Sequence, residues 1–344
     1  MIQQHGGNIE QLRNILDFSA NINPLGTPDS VKKAIVSALE CIEKYPDPNC
    51  TKLRDRIAEH ERISAKNIVC GNGADDMFFR IVHALRPRKA LICAPAFSEY
   101  SRALAEVSCD VLEHTITEDK SFDLDKDILS KLDSNVDMCF ICTPNNPTGR
   151  LIAPDLLGRI AEKCRQNDIF LVCDECFMGF VKDSSKYSMR QFLSDNCIIL
   201  KAFTKLYAMP GIRLGYAVCG SISLADKIHK SGQFWSVSSL AQAAGIVALA
   251  EGNYVRDTVS FIENERNYLA AELSDAGVKV YDGAANFLLF RTRAGLAEEL
   301  LGHGILIRDC QNYSGLTEGF YRIAVRTHEE NIRLITALRR CLNG

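Results

Sequence analysis

Four short stretches of the chain put reactive side chains where apolar runs stop. In "LKAFTKLYAMPGIRLGY" (residues 200–216), Lys205 follows a strand-like run and Arg213 comes eight residues later. Met209-Pro210-Gly211 between them forces a turn, because proline removes a donor and glycine opens the left-handed region. A lysine at the end of a buried strand can have a depressed pKa, as amines that add to carbonyl groups do. An arginine in the same loop can hold a phosphate by charge-assisted hydrogen bonds. The bland alternative is a surface lysine and a surface arginine.

The other three stretches have the same placement. "IFLVCDECF" ends in Asp174 and Glu175; an acid leaving a buried strand is desolvated unless it meets a cation or a donor. A helix cap or an ion pair would also account for it. "CTPNNPTG" (residues 142–149) contains two prolines and a glycine, which stiffen a loop carrying the amides of Asn145 and Asn146. "IVCGNGADD" is a strand, a glycine-rich turn and a helix start. The N–H groups of Gly73, Ala74 and Asp75 would face an anion there; a tight turn whose acids favour the helix dipole is the alternative.

The elements that position these stretches follow from hydrophobic pattern. "NIVCG", "KALICA", "MCFICTP", "IFLVCDE", "CIILKAF" and "GYAVCG" read as strands buried on both faces, as in parallel sheets. Helical segments such as "GADDMFFRIVHALR" and "APDLLGRIAEKCRQ" fall between them. That alternation predicts an α/β layer architecture. In such sheets ligands bind beyond the carboxyl ends of strands, where the reactive residues cluster. "TPDSVKKAIVSALECIEKY" predicts an early helix with Thr27 as N-cap, Pro28 at its first position, and Val31, Ile35, Leu39 and Ile42 on one face. After about residue 240 a long helix, short strands and a terminal helix predict a smaller α+β unit.

Composition narrows the class. The 344 residues carry a net charge of −3, which argues against a nucleic-acid binder. No run of 18 apolar residues suggests a membrane span. "MIQQHGGNIEQL" lacks the pattern of a secretory signal, so reduced thiols in the cytoplasm are expected for the fourteen cysteines. Most of these sit in apolar runs and act as small hydrophobes. The pairs Cys139/Cys142 and Cys173/Cys176 have no completing ligands, and no metal site is expected.

Taken together, "NPTG", the strand-ending "DE" and "TK…PGIRLGY" resemble the fold-type I pyridoxal-phosphate enzymes of aminotransferase class I/II, over nearly the whole chain. The resemblance implies a large domain with a mostly parallel seven-stranded sheet between helices, plus a small α+β domain. Its expected divisions are an N-terminal covering segment (1–35), a large cofactor domain (36–240) and a small domain (241–344). It implies that Lys205 carries pyridoxal 5'-phosphate covalently, and that Asp174 pairs with the ring nitrogen. Asn146 would bind the ring's phenolic oxygen and Phe97 would stack on the ring. Gly73, Ala74, Asp75, Thr204 and Arg213 would surround the phosphate. Tyr45, in "YPDPN", would reach the phosphate of a neighbouring subunit, which implies a homodimer. Two positions depart from the pattern. Ala202 stands where relatives often have Ser or Thr on the phosphate, and Phe177 where they often have a tyrosine on the ring oxygen.

Within that group, "HGGNIEQ", "LDFSANINPLG", Phe177, "FWSVSSLAQAA" and "ILIRDCQNY…YRIAVRT" resemble threonine-phosphate decarboxylases of corrinoid side-chain synthesis. The same ladder without the glycine-rich opening resembles histidinol-phosphate aminotransferases. Either implies a phosphorylated, amino-acid-like substrate. His5, Gly6 and Asn21 would close over it, and Arg308 and Arg322 on neighbouring late strands would grip its anions. Arg326, four residues beyond Arg322, has a structural ion pair as its alternative. A non-catalytic scaffold on this fold is a remote reading, disfavoured because Lys205, Asp174, Asn146 and Arg213 are all present.

Overall fold

The computed structural model describes residues 6, 7 and 14–343. The first part contains β1 (Leu16–Asp17), α1 (Asp29–Ala38), α2 (Thr51–Glu61), β2 (Ile68–Gly71) and α3 (Ala74–Leu85). Next come β3 (Lys89–Ala94), α4 (Glu99–Ala105), β4 (Asp110–Thr115), β5 (Met138–Cys142), α5 (Pro154–Gln166) and β6 (Phe170–Asp174). Then follow β7 (Cys197–Ala202), α6 (Phe203–Leu206), β8 (Gly215–Cys219), α7 (Ile222–Lys230), α8 (Ser239–Ala248) and α9 (Gly252–Asp275). The last part has β9 (Lys279–Tyr281), β10 (Phe287–Arg291), α10 (Leu296–Gly302), β11 (Ile305–Leu306), β12 (Arg308–Asp309), β13 (Phe320–Ala324) and α11 (His328–Asn343).

Seven strands form the large sheet in the order β2-β8-β7-β6-β5-β3-β4. Five of them, β4, β3, β5, β6 and β7, run parallel, and β8 is antiparallel to both its neighbours. β5 and β8 are buried throughout, and β6 nearly so, which is why they read as continuous apolar runs. Alternate residues feed two cores. Phe140, Val172 and Ile198 pack on one side, Cys139, Cys173 and Cys197 on the other. All fourteen cysteines are unpaired, and most are buried as small apolar side chains.

Register brings the reactive stretches to one sheet edge. Cys142 at the end of β5 lies opposite Asp174 at the end of β6, and Asp174 lies opposite Leu200 near the end of β7. Gly215 at the start of β8 faces both Ala202 and Gly71. One row thus holds the mouths of all four loops.

The late strands form a second, antiparallel sheet in the order β12-β13-β10-β9. Its core packs Phe287, Phe290 and Ile323 with Leu269 and Leu273 of α9 and with Leu334 and Leu338 of α11. β1 pairs with β11 in parallel, Leu16 opposite Ile305, so the N-terminal stretch runs beside this sheet before reaching α1.

Two expectations about the early helix are corrected. Thr27 does not cap α1; its hydroxyl donates to the Ala208 carbonyl at 2.6 Å, in the loop after Lys205, and Pro28 precedes the first helical residue. A carbonyl left unpaired by that loop outcompetes the helix for the hydroxyl. Val31 is buried as expected, but Leu39 and Ile42 are 49% and 64% exposed. Strand β4 was not foreseen, because "DVLEHT" is a half-exposed edge strand without an apolar run.

Candidate active site

Lys205 sits in the one-turn helix α6, directly after β7. The chain then makes a second short turn over Pro210–Ile212 and enters β8, with the Phe203 N–H bonded to the Leu214 carbonyl at 3.1 Å. The forced turn therefore joins two neighbouring antiparallel strands and brings Arg213 back beside Lys205. Arg213 itself adopts a left-handed backbone, φ 58°. Burial, then the positive charges of Arg322 and Arg213, pull the Lys205 ammonium below the usual lysine pKa.

The N-terminus of α3 approaches this loop closely. Gly73 has φ +91°, and a Cβ there would lie 2.5 Å from Arg213 Nη2. Gly215 has the same role from the other side, since a Cβ would lie 2.7 Å from the Ala74 nitrogen. Arg213 also approaches the Asp75 carboxylate at 3.4 Å, with both side chains partly exposed. The first N–H groups of a 12-residue helix and a guanidinium thus converge, as an anion site requires. Thr204 is buried in the same wall.

Asp174 is only 6% exposed. Tyr100 donates its hydroxyl to Oδ2 at 2.6 Å, and the Cys176 N–H donates to Oδ1 at 2.9 Å. Among the described residues no cation pairs with it. Burial pushes its carboxyl pKa up, against the hydrogen bonds from Cys176 and Tyr100. The neighbouring Glu175 turns the other way. It accepts from Ser188 Oγ and from the Met189 N–H at 2.7 Å, so the strand-ending pair divides into one acid for the site and one for the fold.

Arg322 on β13 is directly opposite Arg308 on β12. Both are buried. Arg322 Nη1 donates to Asn146 Oδ1, and Nη2 donates to the Ser19 carbonyl at 2.8 Å. Among the described residues its Nε is buried with no partner, as is Asn21 Oδ1. Arg308 Nη2 donates to Asn312 Oδ1 at 2.8 Å, and its guanidinium lies over the Tyr313 ring. Asn145 is structural, bonded to the Pro95 carbonyl and Thr148. Arg326 is paired with Glu330 at 2.7 Å, the structural alternative weighed for it.

One cavity of about 400 Å3 gathers the expected residues. Its walls include Lys205, Asp174, Asn146, Phe97 and Thr204. Ala74, Asp75 and Arg213 form the end at α3. Gly6, Asn21, Arg308 and Arg322 form the other side. Gly73 packs against Arg213 but does not itself line the cavity. Tyr45 is not part of it; it is 79% exposed and stacked on Trp235 at 4.4 Å. His5 lies outside the described residues. Phe177 lines the cavity and packs edge-on against Phe287 at 5.0 Å. A shallower groove of about 1190 Å3 along α5 contains none of these side chains. Among the described residues, no group of three His, Cys, Asp or Glu side chains is arranged to hold a metal ion.

Sequence reasoning missed Tyr100 and Gly215. Tyr100 could have been noticed three residues after Phe97 in "AFSEY", but a tyrosine inside a helix reads as core. The need for glycine at 215 arises only from the approach of α3. Also unforeseen was a buried charge network behind the cavity floor. Lys201 is held by both Glu61 oxygens at 3.0 and 3.1 Å, and Tyr216 donates to the same carboxylate.

Comparison with known proteins agrees with this geometry. Residues 13–338 match the family described as aminotransferase class I and II. The chain is 38% identical to threonine-phosphate decarboxylase of Salmonella typhimurium, over 99% of this chain and 97% of that one. The solved histidinol-phosphate aminotransferase from Clostridium acetobutylicum superposes with a TM-score of 0.90 at 31% identity, covering 96% of this chain and 99% of that one. The solved L-threonine-O-3-phosphate decarboxylase from Porphyromonas gingivalis gives 0.81 at 27% identity, covering 95% and 99%.

Proposed function

The chain belongs to the aminotransferase class I and II family, and from that premise we propose that it is a pyridoxal-phosphate enzyme that decarboxylates O-phospho-L-threonine or a close phosphoamino acid. The observation that carries this reading is the pair Arg308 and Arg322, register partners on adjacent strands that line the cavity of Lys205. A phosphoamino acid has two anions to engage two such cations; histidinol phosphate has one, although the glutamate of the alternative reading also has two, so the assay below separates them.

The residues fit the cofactor. Asp174 is a buried carboxylate lacking a cation among the described residues, which a protonated ring nitrogen would supply. Lys205 offers an amine of depressed basicity. Gly73 leaves open the space in which Arg213 and the α3 N-terminus meet a phosphate. Asn146 gives its Oδ1 to Arg322, so its Nδ2 is left to donate to the ring oxygen. That donor matters more because Phe177 has no hydroxyl to contribute.

When bound, the cofactor takes the substrate amine at its aldehyde carbon and accepts the electron pair left on the α-carbon. Asp174 would hold the ring nitrogen's proton and so keep that acceptor strong. Arg308 and Arg322 would fix the two anions and thereby decide which α-carbon bond is set to break. For decarboxylation, carbon dioxide would leave and the Lys205 ammonium would donate a proton to the α-carbon. For amino transfer, the Lys205 amine would remove the α-hydrogen instead. Asn21 and Gly6, with His5, would close the cavity from the N-terminal segment (1–35) against water.

A second reading, a histidinol-phosphate aminotransferase, is favoured by the Clostridium structure. One assay separates the two. Protein loaded with pyridoxal phosphate is given O-phospho-L-threonine and carbon dioxide is measured; a second portion is given glutamate and the pyridoxamine form is measured. Carbon dioxide without the amine form is expected. The amine form, with turnover of histidinol phosphate, would reverse the assignment.

We further propose a homodimer in the cytoplasm. Tyr45, Phe234 and Trp235 form an exposed aromatic cluster, which a second copy would cover while Tyr45 reaches its phosphate cradle. No described helix is long and apolar enough to cross a membrane, and unpaired thiols suit a reducing compartment.

A further inference from the structure

Tyr100 is not among the residues assigned to the chemistry, yet its surroundings are built around its hydroxyl. The side chain, on the second residue of α4, is 1% exposed and donates to Asp174 Oδ2 at 2.6 Å. Its ring cannot turn away. It stacks on Phe140 at 5.2 Å and meets the edges or faces of Phe78 at 4.9 Å and Phe97 at 6.0 Å. The same helix entry therefore presents Phe97 to the cavity and Tyr100 to the acid beneath it.

We propose that Tyr100 is the positioning residue that keeps Asp174 ionised, so that the proton shared with the cofactor's ring nitrogen stays on nitrogen. This rests on the pyridoxal-phosphate reading above. Asp174 accepts from the Tyr100 hydroxyl and the Cys176 backbone N–H, and the Cys176 thiol also faces it. Burial favours the neutral acid and these donors oppose it. The phenol is itself driven well above its usual pKa, by burial and then by the Asp174 charge, so it keeps its proton to donate to Asp174. Removing that O–H destabilises the carboxylate relative to the acid. The proton then moves from ring nitrogen to a carboxylate oxygen, turning an ion pair into a neutral hydrogen-bonded pair. No other atom changes its proton.

The test uses holoenzyme loaded with pyridoxal phosphate carrying 15N in the ring, in three forms. These are the parent, Tyr100→Phe, and the chain with p-aminophenylalanine at position 100, which keeps a weaker donor in the same place. In Tyr100→Phe the ring-nitrogen resonance moves toward its unprotonated position, and the cofactor dissociation constant rises about tenfold, the effect of one hydrogen bond to a charged group. The p-aminophenylalanine form falls between. If Tyr100→Phe does not fold, as judged by circular dichroism, the p-aminophenylalanine form is read against the parent alone. A purely structural role lowers the thermal midpoint and leaves the resonance in place, and a resonance unmoved across the series overturns the proposal. A parent that takes up no pyridoxal phosphate overturns the functional reading itself, and with it the role of Tyr100.

Discussion

Replacing Arg322 by lysine keeps a positive charge in the cavity but removes a planar fork. In the structure that fork has three directions: Nη1 to Asn146, Nη2 to the Ser19 carbonyl at 2.8 Å, and a buried Nε with no partner among the described residues. A single ammonium on a flexible stem cannot serve both acceptors and a substrate anion at once. One buried acceptor left dry costs about 1–3 kcal/mol, and a lost hydrogen bond to a charged substrate group costs about 1.5–3 kcal/mol. Taking about 3 kcal/mol for the sum, kcat/KM for O-phospho-L-threonine falls roughly 100-fold. Carbon dioxide release at low substrate concentration reads the loss, and calorimetry on cofactor-free protein reads the share that is ground-state binding. Arg326→Lys is the control, because Arg326 is engaged with Glu330, and its kcat/KM stays within about twofold on the scale of exposed pairs. The reasoning fails if R322K keeps parent activity, or if the two substitutions cost the same.

Three other outcomes follow from the geometry. Gly73→Ala forces a side chain into φ +91° and places its Cβ 2.5 Å from Arg213 Nη2; urea unfolding of the cofactor-free protein shows a loss of about 1–3 kcal/mol, and the preference for pyridoxal phosphate over pyridoxal shrinks. An unchanged preference would separate Gly73 from the phosphate. Lys205 binds its proton less tightly in the folded chain than in the unfolded one, so it adds stability as pH rises toward 10.5, lost again as pH falls through the depressed folded pKa. Lys205→Met removes that part of the slope, and parallel slopes in urea unfolding of the two cofactor-free proteins would contradict it. Tyr45→Ala, at an exposed position stacked on Trp235, weakens self-association in sedimentation and lowers cofactor affinity about tenfold, on the scale of one lost charge-assisted hydrogen bond; a monomeric parent would end the idea of a shared site.

The parts of the fold that were legible are those where local pattern and burial agree. β3, β5, β6, β7 and β8 are apolar runs because helices or loops cover both faces. β4 was hidden because its outer position leaves alternating residues in water. The apolar face of the first helix was legible as a face, yet not as to what covers it. Val31 reaches the core, while Leu39 and Ile42 stay at the surface. Thr27 was misread because a cap is a local guess, and the carbonyl that took its hydroxyl lies 181 residues away.

The site shows the same limit on a finer scale. Two lysines lie four residues apart at the end of β7, and composition alone does not separate them. Lys201 points behind the cavity floor; burial would lower its pKa, but Glu61 and Glu175 raise it above the usual value. Its ammonium is therefore held as an ion and fixed to Glu61. Lys205 is desolvated without such a partner, next to Arg322 and Arg213, and its pKa moves down. The partners that divide the pair, Glu61 on α2 and Arg322 on β13, are 140 residues before Lys201 and more than a hundred after Lys205. Which of the two lysines is held as a paired ion and which is not is thus decided by long-range packing, and it was the resemblance of the whole motif that led the sequence to propose Lys205.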